Sequence, residues 1–167
     1  MNQAVTVRLW QEKDGVEELT ALLHRAYSEL ADQGWNYTAS YQDEAQTLSR
    51  VSRALCHLAY IDDSLVGTAN LVIEFDETDP PDYLVPGTGV LGQFGVDPDY
   101  RHLGVGDVLL EAVIESARDQ GLMRLCLDTA SVASKLLNYY ERRGFRQIGL
   151  HQWPGKTYAS VVMEKTL

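Results

Sequence analysis

The stretch that most limits what this chain can become is residues 90–128. There an apolar run suited to a strand (90–96) breaks at Asp97-Pro98-Asp99, turns through Gly104 and Gly106, and enters a helical repeat that Gly121 closes before a second apolar run at 122–128. Within the helix predicted over 103–120, Val105, Leu109, Ala112, Val113 and Ala117 share one face, while Asp107, Glu111, Glu115 and Arg118 lie elsewhere on the helix. Gly121 supplies the left-handed residue that ends such a helix. Two strands joined by a crossover helix lie parallel, because antiparallel neighbours need only a tight turn. A chain built on this unit carries a sheet with a helix laid across it.

The rest of the sequence adds to that sheet. Residues 14–33 place Val16, Leu19, Leu22, Leu23, Ala26, Tyr27 and Leu30 on one helical stripe that Gly34 stops. A more polar helix is expected over 41–54, from Ala45, Leu48, Val51 and Leu55, after the aromatic segment Trp35-Asn36-Tyr37-Thr38. Residues 57–61 and 65–75 are rich in strand formers and flank the polar turn Asp62-Asp63-Ser64, so they read as a hairpin. Pro80, Pro81, Pro86, Gly87 and Gly89 make 76–89 a long loop. A helix over 131–143 ends at Gly144, and strands at 145–150 and 158–163 close the chain around Trp153-Pro154-Gly155. The expected order is two helices, a strand meander, then strand, helix, strand, helix, strand, strand: an α+β fold in one domain, 1–167.

Composition narrows the partners. In 167 residues, 45% of them hydrophobic, there is enough apolar material for one core. Asp and Glu number 24 against 14 Lys and Arg, a formal charge of −10 that repels nucleic acid and anionic membranes; its excess of acid suits a soluble surface or a cationic ligand. Cys56 and Cys126 sit in separate apolar runs with no C-x-x-C spacing, so both are expected buried and reduced. Residues 1–12 carry no run of leader length, no run approaches the ~20 apolar residues of a membrane span, and His24, His57, His102 and His151 lack metal-ligand spacing. The expectation is a cytoplasmic protein without a metal.

The chemistry concentrates at residues 95–106, where a strand end feeds a glycine turn and a helix N-terminus. The first amides of a helix have no intrahelical acceptor and sit at the positive end of its dipole, so they favour an anion; Gly104 and Gly106 remove the Cβ that would block it. Arg101 adds a guanidinium able to grip a phosphate, and a pyrophosphate is the natural guest. The dinucleotide fingerprint fails, since no third glycine follows Gly106, and the P-loop fails for want of Gly-Lys-Ser/Thr. Two glycines in a turn also serve as plain punctuation.

Taken together, Val96-Asp97-Pro98, Arg101-x-x-Gly104-x-Gly106, the amphipathic helix, the next strand and Tyr140-Glu141-Arg142-Arg143-Gly144-Phe145 resemble the GNAT superfamily of N-acetyltransferases over most of the chain. The resemblance implies one GNAT-like domain: a central, mixed, mostly antiparallel twisted sheet of about six or seven strands with helices on both faces. It implies acetyl-CoA as co-substrate, its pyrophosphate on Arg101, His102, Leu103, Gly104, Val105, Gly106 and Asp107, and its pantetheine arm paired with the backbone of Phe94, Gly95 and Val96. Tyr140 matches the family tyrosine that protonates the departing thiolate; it also shares a helical face with Ala133, Leu136 and Leu137, which suits packing alone. Tyr139 points elsewhere. Where relatives often carry Asn, seven residues before the tyrosine, this chain has Ala133, with Ser134 and Lys135 beside it; Lys135 is placed to reach a CoA phosphate or to remain solvated.

The implied reaction is direct transfer of acetyl to a primary amine of a small molecule or peptide, most of its gain coming from alignment. No Gly-x-Ser-x-Gly elbow or activated cysteine suggests a covalent intermediate. Glu74 is the expected carboxylate base, with a water relay as the equal alternative, since Gln93 stands where some relatives have an acid. Substrate choice is assigned to residues 35–41, 76–89 and 151–158, and the acids Glu74, Asp76, Glu77, Asp79 and Asp82 favour an amine. The competing readings are a non-catalytic acyl-CoA sensor or interaction module and a transferase of longer acyl groups. No nucleic acid or membrane partner is expected, and a homodimer is compatible with the reading.

Overall fold

The computed structural model describes residues 3–167. Its centre is a seven-stranded sheet in the order β1-β2-β3-β4-β5-β7-β6. The strands are β1 (Val5–Leu9), β2 (Ala54–Ile61), β3 (Ser64–Val72), β4 (Thr88–Val96), β5 (Arg124–Ala130), β6 (Arg146–His151) and β7 (Ser160–Thr166). The helices are α1 (Glu17–Asp32), α2 (Glu44–Ser52), α3 (Val105–Asp119) and α4 (Ser134–Glu141). β4 and β5, joined by α3, pair in parallel, and the other neighbouring strands pair antiparallel. The expected mixed, mostly antiparallel α+β architecture is present.

Alternation along the strands sends side chains to two layers. On one face Ala59, Ile61, Val66, Ala69, Leu71 and Leu125 meet Val105, Leu109, Val113 and Ala117 of α3, with Tyr140 and Phe145 extending the layer. On the other, Cys56, Leu58 and Leu65 meet Leu19, Leu22 and Leu23 of α1 and Val51 of α2. Contact with α3 is close enough that a Cβ on Gly67 would stand 2.8 Å from Leu109 Cδ1 and 2.9 Å from Val105 Cγ1. Both cysteines are buried and free, and burial pushes each thiol up to about 11.

The structure corrects the sequence reading in three places. The chain begins its sheet at β1, an edge strand whose alternating Val5, Val7 and Leu9 pair with Ile61, Ala59 and His57. Five half-exposed residues at a sheet edge carry a weak signal, and none was expected there. The second helix stops at Ser52, and Ala54 and Leu55 already belong to β2, where they pair with Val72 and Leu71. Leu55 therefore obeys the two-residue period of the sheet rather than the helical repeat. The 76–89 loop is displaced, because β3 ends at Val72 rather than at 75, Pro81–Leu84 form a 3₁₀ turn and Thr88 and Gly89 join β4. No helix of the described residues is long and apolar enough to cross a membrane.

His57 adds a pH dependence. Its ring, 3% exposed, hydrogen-bonds Ser116 Oγ at 2.7 Å and Ala69 O at 3.2 Å, and burial lowers its pKa. A neutral ring in the folded state and a reference value near 6.5 in the unfolded chain mean that its contribution is full above about pH 6.5 and is lost as pH falls towards the lower folded value. Arginines hold Asp14, Asp107 and Glu164 below the usual carboxylate range, so their contributions fade only at more acid pH. We expect the melting temperature to drop between pH 7 and 5, and His57→Gln to flatten that slope; an equal slope in the variant would assign the loss elsewhere.

Candidate active site

β4 and β5 pair only from Thr88 to Val90 against Arg124 to Cys126. Beyond that they part. β5 stays paired to β7 as far as Ala130, while β4 bulges: its register against β3 jumps from Thr68↔Gly95 to Asn70↔Gly92, and Gln93 takes φ +47°. A bulge with a non-glycine residue in the left-handed region strengthens the local twist and turns the strand away from its neighbour. The gap opens a cleft of about 940 Å³ lined on one wall by Leu91 through Val96 and on the other by Leu127, Asp128 and Thr129.

At one end of this cleft lies the mouth of α3. Asp97 caps the preceding 3₁₀ turn, accepting from Asp99 N at 3.0 Å, and Gly104 takes φ +75° to start the helix. The first intrahelical bond runs from Val108 N to Gly104 O, and no side chain caps the helix, so the amides of Val105, Gly106 and Asp107 have no acceptor among the described residues. Gly104, Gly106, Asp107 and Arg101 line the cleft, as do Phe94, Gly95, Val96 and Lys135. Val105 is fully buried in the core and lies outside the cleft lining; His102 and Leu103 are exposed on the turn, and Ser134 is exposed at the first turn of α4, also outside the lining.

Two residues of the expected phosphate loop have paired side chains. Arg101 binds Glu29 at 2.8 Å and Ala26 O at 2.9 Å, tying the turn to α1 alongside the Arg25–Asp97 pair at 3.1 Å. Asp107 accepts from Arg143 Nε at 2.5 Å and from Tyr139 Oη at 3.0 Å, and Arg143 holds its carboxyl below the usual range. Tyr139 is committed, with Arg143 Cζ 3.5 Å from its ring centroid.

Tyr140 behaves differently. It is 8% exposed, wedged among Tyr139 at 5.4 Å, Phe145 at 5.7 Å and Phe94 at 6.4 Å between ring centroids, yet it lines the cleft and its hydroxyl has no partner among the described residues. Burial, reinforced by the neighbouring tyrosines, pushes the phenol well above its ordinary value near 10, so it keeps its proton at neutral pH. Tyr140 is thus both packed in the core layer and part of the cleft lining. Glu74 lies just past the end of β3, exposed and in the cleft lining.

Several cleft residues escaped the sequence reading. Asp128 of β5 accepts from Tyr83 Oη at 2.5 Å and from Trp153 Nε1 at 2.8 Å; as the one acid in the apolar run 122–128 it had a signal. Tyr27 donates to Phe94 O at 2.7 Å, occupying one β4 carbonyl from the α1 side. Arg50 lines the cleft from α2, bonded to Gln42 Oε1 at 2.8 Å, and burial lowers its pKa. The segments assigned to substrate choice supply Tyr37, Tyr41, Asp79, Tyr83, Trp153, Lys156 and Tyr158 to the lining, whereas Asp76, Glu77 and Asp82 stay outside it.

A sheet split beside an uncapped, glycine-opened helix mouth defines a cleft suited to an anionic ligand, and comparison with known proteins gives the family. Residues 16–145 match the model of the acetyltransferase (GNAT) family, and the chain belongs to that family. It is 37% identical over 90 residues to the probable N-acetyltransferase camello of Xenopus tropicalis, covering 54% of this chain and 37% of that protein. It is 30% identical over 110 residues to glucosamine 6-phosphate N-acetyltransferase of Trypanosoma brucei brucei, covering 65% and 67%. The chain thus spans between about a third and two thirds of these relatives' own lengths. The PaiA N-acetyltransferase of Thermoplasma acidophilum, solved in complex with coenzyme A, shares the fold at a TM-score of 0.75 with 17% identity over 98% of this chain and 99% of that one.

Proposed function

We propose that this protein transfers acetyl from acetyl-CoA to a primary amine within a ternary complex. The observation that carries the proposal is the continuity of a single cleft from the bare amides of α3, along the unpaired edge of β4, to the Tyr140 hydroxyl. The amides of Val105, Gly106 and Asp107 would hold the pyrophosphate, with Arg101 and Lys135 lending positive charge and the edge of Phe94, Gly95 and Val96 meeting the pantetheine amides. The acceptor nitrogen attacks the thioester carbonyl, the new C–N bond forms as the C–S bond breaks, and Tyr140 gives its proton to the departing sulfur. The proton lost by the amine passes to water or a carboxylate at the open end of the cleft, where Glu74 and Asp128 stand. The buried free thiols fit a reducing, cytoplasmic setting.

A ligand that binds only the folded state raises its stability. At 100 times its Kd, acetyl-CoA is expected to add about 2.7 kcal/mol, a rise of roughly 5–10 °C in melting temperature for a chain of this size. NAD should give none, and a series of longer acyl-CoAs reports how much acyl chain the cleft admits. Gly106→Val places a branched side chain at the helix mouth, where even a Cβ would lie 3.1 Å from Tyr139 Oη. That variant is expected to weaken acetyl-CoA at least about tenfold by calorimetry, one hydrogen bond to a charged group being worth that much. Unchanged affinity would move the phosphate site away from α3. A protein that binds acetyl-CoA but never releases CoA in the presence of amines would be the sensor instead.

A further inference from the structure

The acceptor half of the cleft carries positive charge that the acetyl-CoA reading does not use. Arg50 lines it without a carboxylate within ion-pairing distance, and its guanidinium's only hydrogen bond among the described residues goes to Gln42. That bond orients a chain of amides. A guanidinium only donates, so Gln42 must offer it Oε1, which turns Gln42 Nε2 towards Thr47 Oγ1 at 2.9 Å and Gln93 Oε1 at 3.0 Å. Gln93, in turn, must present its oxygen to Gln42, which leaves its own Nε2 without an acceptor although the residue is only 4% exposed. Four buried side-chain polar atoms lack a partner among the described residues, and of their residues Gln93 is the one that lines the cleft.

A buried amide donor and a guanidinium with free N–H groups, brought to one cleft by the β4 bulge and by α2, are satisfied together by an anion with two acceptor oxygens. Lys156 holds the neighbouring wall, its ammonium bonded to Asn36 O at 2.7 Å, Thr38 Oγ1 at 2.8 Å and Tyr41 Oη at 3.1 Å. These three bonds use all its protons, so it adds field rather than a direct ligand contact. The β5 wall has the opposite sign, through Asp128, and Glu74 and Asp79 also line the cleft. We propose that the acceptor is a small amino acid or related amino carboxylate, its carboxylate seated on Arg50 and the Gln93 side-chain amide while its amine faces the acidic wall. This deepens the acetyltransferase reading and rests on it.

The test follows CoA thiol release with acetyl-CoA and the common L-amino acids and β-alanine, each against its own carboxamide, with spermidine and kanamycin as amines lacking a carboxylate. At least one carboxylate acceptor is expected to exceed its carboxamide tenfold or more in kcat/KM. Arg50→Ala should raise its KM about 10- to 100-fold, the span of a hydrogen bond to a charged group. The same variant should change kcat less than about threefold and abolish the preference for acid over amide. Gln93→Leu should move KM the same way by a smaller factor, and Arg50→Lys should recover part of the loss; acetyl-CoA affinity by calorimetry should hold in all three. Turnover confined to spermidine or kanamycin, or an Arg50→Ala loss equal for acid and amide, overturns the proposal. Failure of acetyl-CoA to bind the wild type sinks the transferase reading instead, and the subsite is then judged by whether the same amino acids, but not their amides, raise the melting temperature in wild type and not in Arg50→Ala.

Discussion

Replacing Tyr140 with Phe is expected to slow acetyl transfer ~100-fold or more, within the ~10²- to 10⁴-fold span of general acid catalysis, while acetyl-CoA affinity changes less than about threefold. The substitution removes one oxygen and leaves the ring, so the edge-to-face contacts with Tyr139 and Phe145 survive. The hydroxyl it deletes is bonded to no described residue, so no buried partner is stranded. Burial raises the phenol's pKa, which suits a group that must hold its proton until a thiolate forms beside it. Tyr139→Phe is the internal comparison, since that hydroxyl is spent on Asp107 at 3.0 Å and its loss should alter kcat by under about threefold. Steady-state release of CoA, with affinity measured separately, distinguishes the two. A Tyr140→Phe enzyme as fast as wild type would leave Tyr140 as packing alone.

Leu109→Ala is the substitution expected to cost most stability, ~3 kcal/mol within the ~2–5 kcal/mol range of buried Leu truncations. Leu109 is fully buried in the layer between α3 and the sheet, and its Cδ1 presses on the space above Gly67. Without those methyl groups α3 faces a strand whose glycine has nothing with which to refill the void. Urea unfolding should show a lower midpoint with an unchanged slope, and the melting temperature should fall by roughly 6–12 °C. A loss below about 1 kcal/mol would mean that the layer closes over the gap. Because α3 also presents the bare amides, the same variant should weaken acetyl-CoA.

Much of this molecule is written locally. Gly34, Gly104, Gly121 and Gly144 all take positive φ, between +74° and +89°, at the helix boundaries where spacing and residue type had placed them. The stripe of α1 and the face of α3 pack as their periods require, and the acceptor-free amides at Val105 to Asp107 follow from a glycine turn entering a helix. Locality also explains the misses. β1 is five residues at an edge, and Leu55 fits a helical and a strand repeat until β3 pairs with it. The side-chain partners of Arg101 and Asp107, Glu29 and Arg143, lie 72 and 36 residues away along the chain, beyond any local pattern.

What the sequence by itself determined is the set of elements, the parallel crossover through α3 and the anion-binding helix mouth, since all three depend on periodicity and backbone freedom within a few tens of residues. Only the tertiary structure decided how far β4 and β5 part, which hydroxyl stays free beside them, and that Arg50 and Gln93 meet in the cleft through Gln42. Those outcomes arise from pairings between distant segments, where one bulged residue or one oriented amide selects a partner that no local pattern encodes.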